Sequence, residues 1–132
     1  MSANVNLVGH IRTPYQNVKD CPHNIQFDGP LCEINLAPLY WDELKGLREG
    51  QNILVLYWLG NSAFGPFEKS KAAEINGLGT FALRTPYRPN PIGAAVLPIE
   101  RLNPGQVLVR GLDCLDNTGL IDIKPAIHLE DA

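Results

Sequence analysis

Residues 84–93 read RTPYRPNPIG. Pro86, Pro89 and Pro91 fix three φ angles and remove three amide donors within ten positions. Thr85, Arg88 and Asn90 each precede a proline and are pushed towards extended backbone. The segment can be neither a helix nor a central strand, so it must be a stiff loop. Two readings follow. The loop can be a corner of the fold with Arg84 and Arg88 in solvent. It can also be a prearranged site, because a rigid loop loses little entropy when a ligand arrives. In that case Arg84 and Arg88 can meet carboxylates or phosphates, and Asn90 can face an amide-like edge.

The remaining apolar runs are short and end at proline or glycine. VNLVGHI (5–11) reads as a first strand before the Thr13-Pro14 break. LCEINL (31–36) alternates, with Cys32, Ile34 and Leu36 on one face, as a half-buried strand does. PLYWDELKGLREG (38–50) opens with a proline suited to a first helical turn, and Trp41, Leu44 and Leu47 share a face. NILVLYWL (52–59) is apolar throughout and reads as a buried strand. Residues 60–79 form a long loop with one helical turn, and TFAL is a short strand leading into the proline loop. IGAAVLPIERL is a strand bent at Pro98, QVLVRGL follows an NPG turn, and LIDIKPAI is a last strand after the LDNTG turn. About seven short strands with regular turn signals specify a mainly β, antiparallel fold, a small barrel or a sandwich. One short helix and one long loop decorate it. No linker or repeat divides the 132 residues, so they are read as one domain.

Net charge is −3, which argues against a generic nucleic-acid-coating protein while allowing a local basic patch. Three cysteines without a CxxC pair read as reduced thiols of a cytoplasmic protein. The first residues lack the charged and apolar regions of a signal peptide, and no run is long enough to cross a membrane. His10, His23 and His128 lack metal-ligand spacing, so no metal is expected. There is no GxSxG, HExxH or Walker A motif, and the GLG at 77–79 is not a dinucleotide fingerprint. Asp116, Asn117, Thr118 and Gly119 form an acceptor-rich turn that Asx chemistry explains by itself.

Taken in order, VGHIRTPY, ILVLYW, RTPYRPNPIG and DNTGLIDIKP resemble the TsaA/TrmO-like (YaeB-like) family, from about Val8 to Ile127. Known members include S-adenosylmethionine-dependent tRNA methyltransferases. The resemblance implies a β-barrel, a homodimer and a cofactor pocket near the subunit interface. It implies cofactor-binding roles for Arg84, for Ala94 and for the turn Asp116, Asn117, Thr118, Gly119. Pro22, His23 and Asn24 fall where many members have Pro-Arg-Gln, and Gly60 and Asn61 where many have His-Gln. Longer bacterial members carry a C-terminal domain, which is expected to be absent here. The implied acceptor is a modified adenosine beside the tRNA anticodon, methylated on its exocyclic amine. Arg88, Asn90, Lys71 and Lys124 are the expected substrate contacts, with Lys69 beside them. A module that binds the cofactor without acting on tRNA, or that methylates a small molecule, is the alternative.

Overall fold

The computed structural model describes residues 3–60 and 67–127. Seven strands form one sheet: β1 (Gly9–Arg12), β2 (Leu31–Leu36), β3 (Asn52–Trp58), β4 (Ile92–Pro98), β5 (Arg101–Asn103), β6 (Gln106–Arg110) and β7 (Thr118–Pro125). Their order is β4-β3-β7-β1-β2-β6-β5, and every pair is antiparallel. The mainly β, antiparallel reading holds. The ladder, however, ends at β4 on one side and β5 on the other among the described residues, so hydrogen bonding does not close the sheet into a barrel. The sheet is nonetheless rolled, since β4 and β6 come within 8 Å between Cα atoms.

The two edges are successive parts of one bent strand. β4 pairs with β3 as far as Pro98 opposite Asn52. The Ile99 amide then donates to the Gln51 carbonyl at 2.9 Å, and the next amide, of Glu100, donates to Leu108 of β6 at 2.8 Å. From Arg101 the chain belongs to β5, paired with β6. Pro98 sits at the bend because it has no amide to contribute to a ladder. The chain itself spans the seam that hydrogen bonds leave open.

Inward-facing residues alternate along the strands as the pleat requires. Cys32, Ile34 and Leu36 of β2, Ile53, Val55 and Tyr57 of β3, and Ala95 and Leu97 of β4 meet Ile11, Val107, Val109 and Leu120 in one core. β3 was expected to be buried on both faces. Instead Leu54, Leu56 and Trp58 are half-buried on the outer face. The helix expected at 38–50 is a 3-10 helix over Pro38–Leu44. Trp41, Leu44 and Leu47 recur every three residues, which is the 3-10 period rather than 3.6. Trp41 stays 45% exposed and donates its indole N–H to the Leu36 carbonyl at 2.7 Å.

The helical turn in the long loop is α1 (Lys71–Asn76). The Ser70 side chain caps it by accepting from the Ala73 amide at 3.1 Å, and Gly77 ends it in the left-handed conformation with φ 65°. TFAL is not a strand: Thr80–Ala82 is a single 3-10 turn, because the rigid loop that follows offers it no ladder. β1 begins at Gly9 rather than Val5, although the Val8 amide already donates to Leu120 at 2.8 Å. No helix among the described residues is long and apolar enough to cross a membrane.

One glycine fixes the loop 21–30 to the sheet. Gly111, with φ 80°, accepts from the Gln26 amide at 2.8 Å and donates to Pro30 at 2.9 Å. A Cβ there would lie 1.5 Å from the Gln26 carbonyl oxygen. Gly111→Ala combines a strained φ with a backbone collision, and is expected to destabilise the fold by about 2–4 kcal/mol. Urea unfolding should show a lower midpoint, and hydrogen exchange should show loss of protection in residues 21–30.

Candidate cofactor site

The end of the sheet at Tyr57 and Gly93 carries a cavity of about 270 Å³. That is slightly below the roughly 300–1,000 Å³ of ordinary small-molecule pockets. One wall is the proline loop, through Leu83, Arg84, Thr85 and Arg88. His23, Asn24 and Asp113 line the cavity as well. The floor is Tyr57 and Leu59 of the β3 end, with Ile92, Gly93 and Ala94 of β4.

The proline loop is braced by its own arginines. Arg88 donates from Nη1 to the carbonyls of Leu83 at 2.6 Å and Thr85 at 3.2 Å. Its guanidinium lies 5.9 Å from the centroid of the Phe81 ring. Arg84 donates from Nη2 to the Ala94 carbonyl, tying the start of the loop to β4. Each guanidinium has five donors, so both keep N–H groups for a ligand. The Leu59 amide donates to Pro91 at 2.7 Å and pins the other end of the loop to the end of β3. Three prolines and two arginines thus hold one shape.

Below the loop lies a polar pair that the sequence did not reveal. Tyr57 is 2% exposed, and its hydroxyl donates to Asp113 Oδ1 at 2.8 Å. Burial and then the Asp113 charge push the phenol far above its ordinary value, so it remains a donor at any working pH. Its ring rests on Gly93, where a Cβ would lie 2.3 Å from Cε2. Asp113 is half-buried and lines the cavity.

Five expected residues therefore meet at the cavity: His23, Asn24, Arg84, Arg88 and Ala94. Pro22 is half-buried beside His23, and Gly60 packs against Pro91 and Trp58 without lining the cavity. Asn61 lies outside the described residues, as does His128. Asn90 is exposed in the proline loop, its carbonyl accepting from Ile92 at 2.8 Å. Lys71 opens α1, away from the cavity lining. Lys124 pairs with Asp122 at 2.9 Å and stands opposite Leu54. That is three residues down β3 from Tyr57, or about 10 Å. Of the expected cations Lys69, Lys71, Arg84, Arg88 and Lys124, only the two arginines line this cavity.

The turn at 116–119 starts β7 at the same end of the sheet, with Gly119 opposite Trp58. Its groups are engaged elsewhere. Asp116 accepts from Arg12 Nε at 2.8 Å, the Thr13 amide at 3.0 Å and Gln16 at 3.3 Å. Asn117 takes φ 67°, and Thr118 donates its hydroxyl to Leu115 at 2.7 Å. Burial pushes the pKa of the Cys114 thiol up to about 12, and Cys21 and Cys32 are raised for the same leading reason.

Two arginines and one carboxylate thus line a single cavity at the end of an antiparallel sheet. Residues 10–132 match the model of the tRNA-methyltransferase O N-terminal domain. A relative in Rhizobium radiobacter, named a probable S-adenosyl-L-methionine-binding protein VirR, is 41% identical over 123 residues, covering 93% of this chain and 70% of that protein. A mouse tRNA (adenine(37)-N6)-methyltransferase is 33% identical over 87 residues, covering 64% of this chain and 20% of that protein. The crystal structure of TrmO from Pseudomonas aeruginosa superposes with a TM-score of 0.79 at 27% identity, covering all of this chain and 59% of that one. The chain belongs to the tRNA-methyltransferase O N-terminal domain family, a family of S-adenosylmethionine-dependent methyltransferases.

Burial raises the Asp116 carboxyl, but the bonds from Arg12, Thr13 and Gln16 outweigh it and hold the group below its ordinary 3.8. A depressed folded-state value stabilises the fold above the unfolded value and ceases to do so as pH falls through the folded one. Asp116→Asn should therefore melt below wild type at about pH 7, and the gap should shrink as pH drops below about 4. Thermal melts of both proteins across that range provide the check.

Proposed function

We propose that this chain binds S-adenosylmethionine in the cavity under the proline loop and transfers its methyl group to the exocyclic amine of a modified adenosine beside a tRNA anticodon. The observation that carries this reading is a chain of this family whose RTPYRPNPIG loop sets two arginines over a cavity with one carboxylate. The residues present suit the cofactor. Arg84 and Arg88 offer donors for a carboxylate, Asp113 offers an acceptor for an ammonium, and Leu59, Leu83 and Ile92 offer apolar surface for methylene groups. Bound there, the cofactor would supply a methyl group already activated by a sulfonium. The protein's share is then largely positioning, which is the term worth most when two reactants must be aligned. The braced loop is built for that. The exposed Asn90 is the loop's RNA contact, with Lys69, Lys71 and Lys124 as more distant attractors for phosphate.

Purified protein should transfer labelled methyl groups to tRNA carrying the modified adenosine, with a rate that falls steeply with added salt. Nucleoside mass spectrometry of tRNA from cells with and without the protein should show one methylated adenosine gained. Cofactor binding without transfer would support the second reading, a cofactor-binding module or small-molecule enzyme. That reading is favoured by the name of the Rhizobium relative, a probable S-adenosyl-L-methionine-binding protein.

We also propose a cytoplasmic homodimer. The outer face of β3 and β4 is apolar: Ile92 is 39% and Val96 43% exposed, beside half-buried Leu54, Leu56 and Trp58. An apolar face of this kind suits a two-fold contact. It borders the cavity, since Ile92 and Ala94 belong to both. Light scattering at micromolar concentration should report twice 14.5 kDa, and Val96→Asp should shift the species to monomer. A wild-type monomer would overturn the dimer.

A further inference from the structure

We infer that Asp113 is the residue that receives the cofactor's α-ammonium group, with Tyr57 as the residue that positions it and Arg84 taking the α-carboxylate. This inference rests on the proposal that the cavity binds S-adenosylmethionine, and it assigns the cavity to the amino-acid end of that molecule.

The first ground is spacing. Asp113 and Arg84 line one cavity but are not within the 4.0 Å of an ion pair. The ion pairs among the described residues are Arg12–Asp116, Arg110–Glu100 and Lys124–Asp122. A cation and an anion that line one cavity without forming an ion pair complement a group that carries both charges on one carbon. An α-amino acid is such a group. The small volume favours that end of the ligand over a whole nucleoside.

The second ground is the use of the Asp113 oxygens. Oδ1 accepts from Tyr57 at 2.8 Å, and among the described residues no other side-chain group bonds to this carboxylate. Oδ2 accepts no hydrogen bond among the described residues, and the residue lines the cavity. The tyrosine cannot swing away, because its ring is buried in the core and lies on Gly93. Asp113 follows two fully enclosed positions, Gly111 pinned by Gln26 and Pro30, and Leu112 at 0% exposure. Both its backbone and its side chain are therefore fixed before a ligand binds. A preset charge-assisted acceptor of this kind contributes most to affinity.

The test uses three probes with calorimetry on the full chain: S-adenosylmethionine, its decarboxylated form (ammonium but no carboxylate) and methylthioadenosine (neither). Asp113→Asn keeps an acceptor for Tyr57 and should preserve the melting temperature closely. It should bind the first two probes roughly ten- to a hundredfold more weakly and methylthioadenosine unchanged. Arg84→Ala should weaken S-adenosylmethionine alone. Tyr57→Phe should lower the ratio of S-adenosylmethionine to methylthioadenosine affinity by a smaller factor, a change that loosened packing would not produce. Equal binding of S-adenosylmethionine by wild type and Asp113→Asn would overturn the inference, as would a parallel loss for all three probes. If wild type binds no probe, the cofactor reading itself falls.

Discussion

A phenol hydroxyl can be taken out of water only if something accepts its proton, and an unmet hydroxyl in a core costs about 1–3 kcal/mol. Tyr57 meets that requirement with a single bond to Asp113, and the arrangement at this end of the molecule depends on it. The ring packs across β3 and β4, so glycine is needed at 93. The hydroxyl reaches the segment after β6, so residues 111–114 are drawn under the cavity. The bond joins the sheet that makes the floor to the loop that makes the wall. An apolar side chain at 57 would fill the core equally well and leave Asp113 without a fixed direction.

The proline loop is rigid for a different reason. Prolines restrict φ but leave the orientation of the loop on the sheet open. The arginines settle that orientation: Arg88 closes the loop on its own carbonyls, and Arg84 ties it to β4. Each guanidinium is at once a brace and a presented charge. The contrast between corner and site drawn from RTPYRPNPIG was thus too sharp, because the same atoms serve the architecture and face the cavity.

Much of the fold was legible wherever sequence periodicity carries the information. LCEINL alternates polar and apolar residues, so its inner face was readable. NILVLYWL is apolar throughout, so nothing in it distinguished Ile53, Val55 and Tyr57 from the outward Leu54, Leu56 and Trp58. The NPG turn, the bend at Pro98 and the stop at Pro125 announced themselves through backbone restriction. The site was harder to read because its parts meet through tertiary contact. Tyr57 and Asp113 are 56 positions apart, and Arg12 and Asp116 are 104 apart. No local pattern encodes such pairs. Lys124 was grouped with the arginines because its DIKP motif and the proline loop were read as parts of one pocket, whereas strand register sends it towards Leu54.

β7 lies in the middle of the sheet, between β3 and β1. Until its residues are available, β1 and β2 have nothing to pair with on one side, and β3 and β4 form an isolated hairpin with long intervening loops. Pairs such as Ile53 with Pro125 and Gly9 with Leu120 close loops that span most of the chain, and closures of that length dominate the folding barrier. The nascent chain must therefore be free of the ribosome as far as Pro125 before its two halves can join. During that interval the apolar faces of β2 and β3 are exposed, which makes early release or truncation near Asp122 a route to aggregation rather than to a smaller stable domain.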